Sequence, residues 1–161
     1  MSRISIKTLL ASRLGGEKRL AVLAIGSDLR ADDAAGILVG ESIIKRNRSR
    51  RLKVFLGQTA PENLTGEIKR YKPSHLLIID AADTANIPGT IDLIDPKIVG
   101  GISFSTHMMP LKIMVDYIRQ SIKCKVMIIG IQPKVLAFGS RPSKPAMDSA
   151  REVAGAILSL I

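Results

Sequence analysis

Acidic side chains and one histidine stand in three short segments that follow or precede apolar stretches. The segments are residues 26–36, 80–83 and 105–111. A histidine together with two carboxylates, with coordination positions left open, suits a divalent transition metal such as nickel, zinc or iron. The sequence therefore makes a metal-dependent site one hypothesis. Its candidate residues are Asp28, Asp32, Asp33, Asp80, Asp83 and His107.

Structural roles explain some of the same residues. Asp32 and Asp33 precede a helical pattern, where the helix dipole stabilises a carboxylate by about 0.3–1 kcal/mol. His107 also fits a structural role at the start of the next helix. Asp80 directly follows four apolar residues, so we expect it to be enclosed, and an enclosed carboxylate needs partners or a metal. A catalytic or metal-binding role is favoured over these structural roles only if the three segments meet in the fold.

Apolar runs alternate with helical patterns along the chain. This alternation predicts an α/β fold of three layers. Its centre is an open, twisted, mostly parallel five-stranded sheet with one antiparallel strand, and helices cover both faces. The predicted strands are residues 20–25, 52–56, 76–79, 91–94 and 126–131. The predicted helices are residues 6–14, 34–44, one following a capping box at 59–62, 111–122 and 147–161.

Such a sheet explains why the three segments could meet. In open α/β sheets, ligands bind at the carboxyl ends of the strands, near the point where the strand order reverses. Residues 26–36 leave the first predicted strand and residues 80–83 leave the third, while residues 105–111 enter a helix. The predicted topology therefore brings Asp33, Asp80 and His107 toward one edge of the sheet.

Length and composition predict a single domain over residues 1–161. Residues 1–18 form an N-terminal extension or helix, and residues 20–160 form the α/β domain. No apolar run approaches the roughly 20 residues that span a bilayer, and no secretory signal pattern is present. Cys124 is the only cysteine, so an internal disulfide and a multi-cysteine metal site are excluded. We expect a cytoplasmic protein without membrane insertion.

The chain is strongly basic. It has 24 Lys and Arg against 14 Asp and Glu, a net charge of +10. The densest basic run is residues 45–53, but aromatic residues make up only 3% of the chain and there is no Trp. Because single-stranded nucleic acids are commonly bound by stacking on aromatic side chains, we interpret this run as a solvated helix end and loop. We therefore expect no nucleic-acid partner.

Other catalytic motifs are absent. Gly26 is followed by Ser27 and Asp28, so the first loop lacks the G-x-G-x-x-G turn that binds a pyrophosphate. The chain has neither a G-x-x-x-x-G-K-[ST] loop nor a G-x-S-x-G elbow. Cys124 is interpreted as an ordinary buried or edge thiol, and His75 as a surface loop residue.

Together, the three segments resemble the hydrogenase maturation endopeptidases, in the branch that processes hydrogenase-3-like enzymes. The family's first motif begins at the end of a strand with Gly-Asn. After four further residues come Asp and a second acidic residue, Asp or Glu, and a Gly follows three residues later. Residues 25–36 match this pattern. Ser27 and Ala34 stand where the family commonly has Asn and Gly. An Asp ending an apolar strand matches Asp80, and a His before a helix matches His107. Further similar blocks are residues 60–63, 86–89 and 130–133.

The resemblance implies a peptidase that removes the C-terminal extension of a nickel–iron hydrogenase large-subunit precursor. It implies that nickel is carried by the precursor and is not permanently bound by the protease. Asp33, Asp80 and His107 would then be the catalytic and metal-binding residues. Asp32 is expected to play a supporting or structural part. Hydrolysis would proceed by metal-assisted or carboxylate-assisted attack of water.

Two other classes remain alternatives at this point. One is a metal-dependent hydrolase that holds its own resident metal. The other is a non-enzymatic basic module that binds nucleic acid, for which the basic run would be the binding surface.

Overall fold

A computed structural model describes residues 4–16, 18–104 and 110–161. These residues form the predicted α/β fold, in which helices cover both faces of a mostly parallel sheet. The strands are β1 (Leu20–Ile25), β2 (Leu52–Gln58), β3 (His75–Asp83), β4 (Ile91–Ile94), β5 (Ser103–Phe104) and β6 (Lys125–Ile131). The α-helices are α1 (Ile6–Arg13), α2 (Ala35–Arg46), α3 (Thr65–Tyr71), α4 (Leu111–Ser121) and α5 (Lys144–Leu158).

The main sheet has the strand order β2-β1-β3-β6-β4. Strands β2, β1, β3 and β6 run parallel, and β4 pairs with β6 in the antiparallel direction. The predicted single antiparallel member of the five-stranded sheet is thus confirmed. A sixth strand, the two-residue β5, was not predicted; it pairs antiparallel with Ala82 and Asp83 at the end of β3.

The central strands are buried on both faces and divide the core in two. Val22 and Leu77 point into a core shared with α1, α2 and α5. Leu23 and Ile78 point into a second core shared with α3 and α4. Neighbouring residues of a strand face opposite sides, so the continuous apolar runs of β1, β3 and β6 fill both cores.

Helix α1 completes one helical layer at the chain's N-terminal end. Ile6, Leu10 and Leu14 are buried in the core that α5 also fills. The helix contacts both α5 and β4, which is the outer strand of the sheet. In the described part of the chain, no helix has the length and apolar character needed to cross a membrane.

The start of the third helical segment differs from the prediction. Thr59 does not cap a helix; instead a 3₁₀ turn, Pro61–Leu64, precedes α3. Two more 3₁₀ turns were not predicted, Ala31–Ala34 before α2 and Pro96–Gly101 before β5. The turn before α2 is the one that carries Asp32 and Asp33.

Candidate active site

The strand order reverses beside β1. The chain passes from β1 to its neighbour β2 and then crosses back to β3 on the other side of β1. In an open parallel sheet, this reversal leaves a crevice at the carboxyl ends of the two strands that flank it. The crevice here lies between β1 and β3, the strands that lead to Asp33 and Asp80.

Gly26 brings the Asp33 turn close to the end of β1. A Cβ atom at Gly26 would lie 1.9 Å from the Asp33 carbonyl oxygen, and the glycine has a φ of 142°. The N–H of Ser27 donates to the same carbonyl, at 3.1 Å. Only glycine permits this approach. Asp33 is consequently held at the end of β1, where it is 2% exposed.

Gly36 plays the same part for helix α2 and strand β3. Its Cβ would lie 2.3 Å from the carbonyl oxygens of both Ile25 and Ile79. The first turn of α2 therefore rests on the ends of β1 and β3. Asp80 is the residue after Ile79 and is fully buried. The structure thus brings Asp33, on the turn that follows β1, and Asp80, on the neighbouring strand β3, to the same edge of the sheet.

Two buried carboxylates supply hard oxygen donors for a divalent cation. Within residues 4–16, 18–104 and 110–161, no cluster of three or more His, Cys, Asp or Glu side chains is arranged to hold a metal. His107, the third predicted ligand, lies outside the described residues. Its place beside Asp33 and Asp80 stays a prediction.

Asp32 is buried and joins the turn before α2 to the loop between β6 and α5. Its carboxylate accepts hydrogen bonds from the N–H groups of Lys134 and Val135, at 2.7 and 3.2 Å. It also accepts from the N–H and hydroxyl of Ser143, at 2.5 and 2.7 Å. Burial by itself would raise the pKa of Asp32, but these hydrogen bonds outweigh it and the pKa is lowered. Asp32 is an ionised clamp on the loop between β6 and α5.

Asp28 and Asp83, the other acidic candidates, are exposed. Asp83 accepts hydrogen bonds from the Ala85 N–H at 3.0 Å and the Gln132 side-chain amide at 3.2 Å. The Ala85 bond, followed by the Gln132 bond, lowers the pKa of Asp83. Asp83 thus stabilises the turn after β3.

Gln132 is a site-edge residue whose role the sequence did not reveal. It is 7% exposed, and its Oε1 accepts from the Thr84 and Asn86 N–H groups, at 2.8 and 3.3 Å. Its backbone carbonyl accepts from the Gly89 N–H at 2.8 Å. These bonds fasten the β3–β4 loop to the end of β6. Gln132 belongs to a block similar to the family, which was the one signal pointing to it.

Ser27 retains the function of a turn-forming side chain. Its hydroxyl accepts a hydrogen bond from the Leu29 N–H at 3.2 Å. An Asn side chain commonly makes the same bond, to the N–H two residues on. The loop after β1 therefore keeps its local hydrogen bond although Ser replaces the family's usual Asn.

The interpretation of His75 as a surface residue was wrong. His75 opens β3, pairs with Leu20 and Lys125, and is 5% exposed. Burial, and then the charges of Lys125 and Lys18, lower its pKa. Cys124 is half-buried, and burial raises the pKa of its thiol. A protonated thiol is a poor nucleophile, in keeping with the ordinary role predicted for it.

Comparison with known proteins gives concordant matches. A family model described as hydrogenase maturation protease (HycI) matches residues 37–160. The hydrogenase 3 maturation protease of Escherichia coli K12 is 33% identical over 133 residues, covering 82% of this chain and 84% of the relative.

Solved structures agree. The [NiFe] hydrogenase maturation protease HycI from Thermococcus kodakarensis KOD1 superposes with a TM-score of 0.87 and 28% identity, covering 94% of this chain and 97% of that one. The endopeptidase HycI from E. coli gives a TM-score of 0.75 and 32% identity, with coverages of 84% and 86%. The conclusion from sequence, fold and these matches is that the chain belongs to the hydrogenase maturation protease family and is a peptidase.

Proposed function

We propose that this peptidase removes the C-terminal extension of a nickel–iron hydrogenase large-subunit precursor, of the hydrogenase 3 type. The main supporting observation is the pair of buried carboxylates, Asp33 and Asp80, at the crevice between β1 and β3. The E. coli relative is named a hydrogenase 3 maturation protease, which supports this class of substrate.

Nickel enters the proposal as part of the substrate. We propose that Asp33, Asp80 and His107 complete the coordination of nickel already seated in the precursor. Carboxylates and imidazole suit nickel as ligands. Precursor without nickel would then offer these groups nothing to bind, so cleavage would wait until the metal had been inserted.

The proposed reaction is hydrolysis of one peptide bond. A water oxygen adds to the scissile carbonyl carbon, the C–N bond breaks, and the departing amine takes up a proton. A carboxylate at the site can accept the proton from water and return it to the amine. The substrate's nickel can instead polarise the carbonyl or the water. Both routes use the same residues.

The direct test mixes the purified protein with its host's large-subunit precursor, loaded with nickel or free of nickel. Mass spectrometry would follow the loss of the C-terminal extension. We expect trimming of the loaded precursor and none of the nickel-free one. Equal trimming of both would contradict nickel-dependent recognition, and trimming of neither would contradict the substrate.

A hydrolase with a resident metal is distinguished by metal analysis of the purified protein. Our proposal predicts substoichiometric metal, whereas a resident site predicts about one tightly held ion per chain. We also propose that trimming takes place in the cytoplasm, and cell fractionation would check this.

The basic charge supports docking to an acidic face of the precursor. The chain carries +10, and attraction between opposite surface charges weakens as salt screens it. We therefore expect the affinity for precursor to fall as ionic strength rises. An alternative is that the charge reflects a high-temperature or high-salt cell, which predicts no such dependence.

A further inference from the structure

Two segments at the edge of the site leave large apolar side chains in solvent. Phe138 is 77% exposed, Leu29 58% and Leu136 41%. Phe138 is one of three phenylalanines in the chain. Burial of a phenylalanine side chain is strongly favourable, so an exposed one is available to contact a partner. Exposed apolar side chains grouped beside a functional site are typical of an interaction surface.

The two segments are joined to each other. Leu29 lies on the loop after β1, and Leu136 and Phe138 lie on the loop between β6 and α5. The N–H of Gly139 donates to the carbonyl of Leu29 at 2.8 Å. The two segments are therefore adjacent in the fold, and we call the surface that carries Leu29, Leu136 and Phe138 the 29/136/138 surface.

This surface is fixed to the site by Asp32, the neighbour of Asp33. The Asp32 carboxylate binds the N–H groups of Lys134, Val135 and Ser143, which bracket the second segment. The Asp32 N–H in turn donates to the Val135 carbonyl at 3.0 Å. A partner that docks on a preorganised loop loses less ordering entropy than one that must fix a mobile loop.

The charges around the surface indicate what kind of partner fits. Residues 132–143 contain Lys134 and Arg141 and no acidic residue, and both cations are exposed. The facing segment adds one exposed carboxylate, Asp28. The surface is thus apolar with a mostly cationic rim, which complements apolar side chains flanked by acidic ones.

We propose that the 29/136/138 surface docks the body of the large-subunit precursor, through a patch of apolar and acidic side chains near its metal-bearing end. This inference rests on the function proposed above and deepens it. Docking here would present the precursor's metal and scissile bond to Asp33 and Asp80, while the 29/136/138 surface takes no part in the chemistry.

The test is steady-state trimming of the nickel-loaded precursor by matched variants. L29S/F138S removes two exposed apolar side chains, and its control is I44S. Ile44 is 51% exposed near the C-terminal end of α2, about two turns away from Gly36, which lies at the site. K134E/R141E reverses the rim, and its control is K45E/R50E, also at exposed positions. Circular dichroism and thermal melting would verify folding.

We expect L29S/F138S to raise KM by about tenfold, as for truncation of interface anchors, with kcat within twofold of wild type. K134E/R141E should also raise KM and flatten its dependence on salt. I44S should match wild type, and K45E/R50E, which changes the net charge equally, should change KM much less than K134E/R141E. If wild type trims and L29S/F138S has an unchanged KM, the docking surface is wrong while the proposed function stands. If wild type trims no loaded precursor, the proposed function fails and the docking inference fails with it.

Discussion

The carboxylate of Asp32 accepts hydrogen bonds from both the backbone N–H and the hydroxyl of Ser143, at 2.5 and 2.7 Å. Ser143 is the N-cap residue of α5 and lies 111 positions further along the chain. The turn that carries Asp33 is thereby fixed to the start of the last helix. The position of one candidate catalytic carboxylate depends on its buried neighbour.

Replacement of Asp32 by Ala should destabilise the protein by about 3 kcal/mol, because buried N–H donors would lose a charged acceptor. Ser143→Ala is the graded control: it removes only the hydroxyl of an N-cap, so it should cost about 1 kcal/mol. Urea unfolding monitored by circular dichroism measures both values. Equal effects of the two substitutions would contradict the clamp role.

Asp33→Asn and His107→Ala should each reduce trimming of nickel-loaded precursor by at least about 100-fold, as expected when a catalytic group is lost. The melting temperature should stay near that of wild type. Asp116→Asn is a control, since the Asp116 side chain lies on the solvent-facing side of α4, paired with Lys112. Trimming at the normal rate by Asp33→Asn would remove Asp33 from the proposed mechanism.

Gly36→Ala should destabilise the protein by about 2 kcal/mol or more, because the new methyl group would overlap two strand carbonyls. Gly155→Ala, within α5, should instead stabilise the protein. No atom lies within 4 Å of a Cβ placed at Gly155, and alanine is favoured over glycine in a helix by about 0.5–1 kcal/mol. The two substitutions should change the free energy of unfolding, measured by chemical denaturation, in opposite directions. If Gly36→Ala left this free energy unchanged, α2 would not lie closely against the sheet.

Stability should fall as pH decreases below about 6.5, the ordinary pKa of histidine. Burial, Lys125 and Lys18 lower the pKa of His75 in the folded protein, so the unfolded chain binds the proton more readily. This contribution is present above pH 6.5 and is lost as the pH falls toward the folded pKa. His75→Gln should flatten the dependence of the unfolding free energy on pH between 7.5 and 5. An unchanged slope would mean that His75 does not contribute.

The buried strands were predictable because their sequence pattern is local. The run at residues 20–25 coincides with β1, and residues 126–131 fall one residue short of β6. Strand β3 is longer than its apolar run, since Asp80 and Ala81 pair with β6 and Ala82 and Asp83 pair with β5. The extension of β3 beyond Ile79 depends on pairing with strands elsewhere in the chain.

The remaining features depend on contacts between distant residues. The sequence could place Asp33 and Asp80 at strand ends, but the hydrogen bonds of Asp32 to residues 134–143 arise only from the folded topology. His75 was misinterpreted for a similar reason. Its burial follows from lying between β1 and β6, although Pro73 and Ser74 before it indicate a loop.

Helix α1 packs against α5 and against the outer strand β4. Outer strands expose unpaired backbone groups to which another molecule can add a strand, and a covering helix hinders such additions. We expect the N-terminal segment to limit self-association, because Ile6, Leu10 and Leu14 cover the core beside β4. Protein shortened by its first 14 residues should form aggregates that grow with concentration, which light scattering would detect.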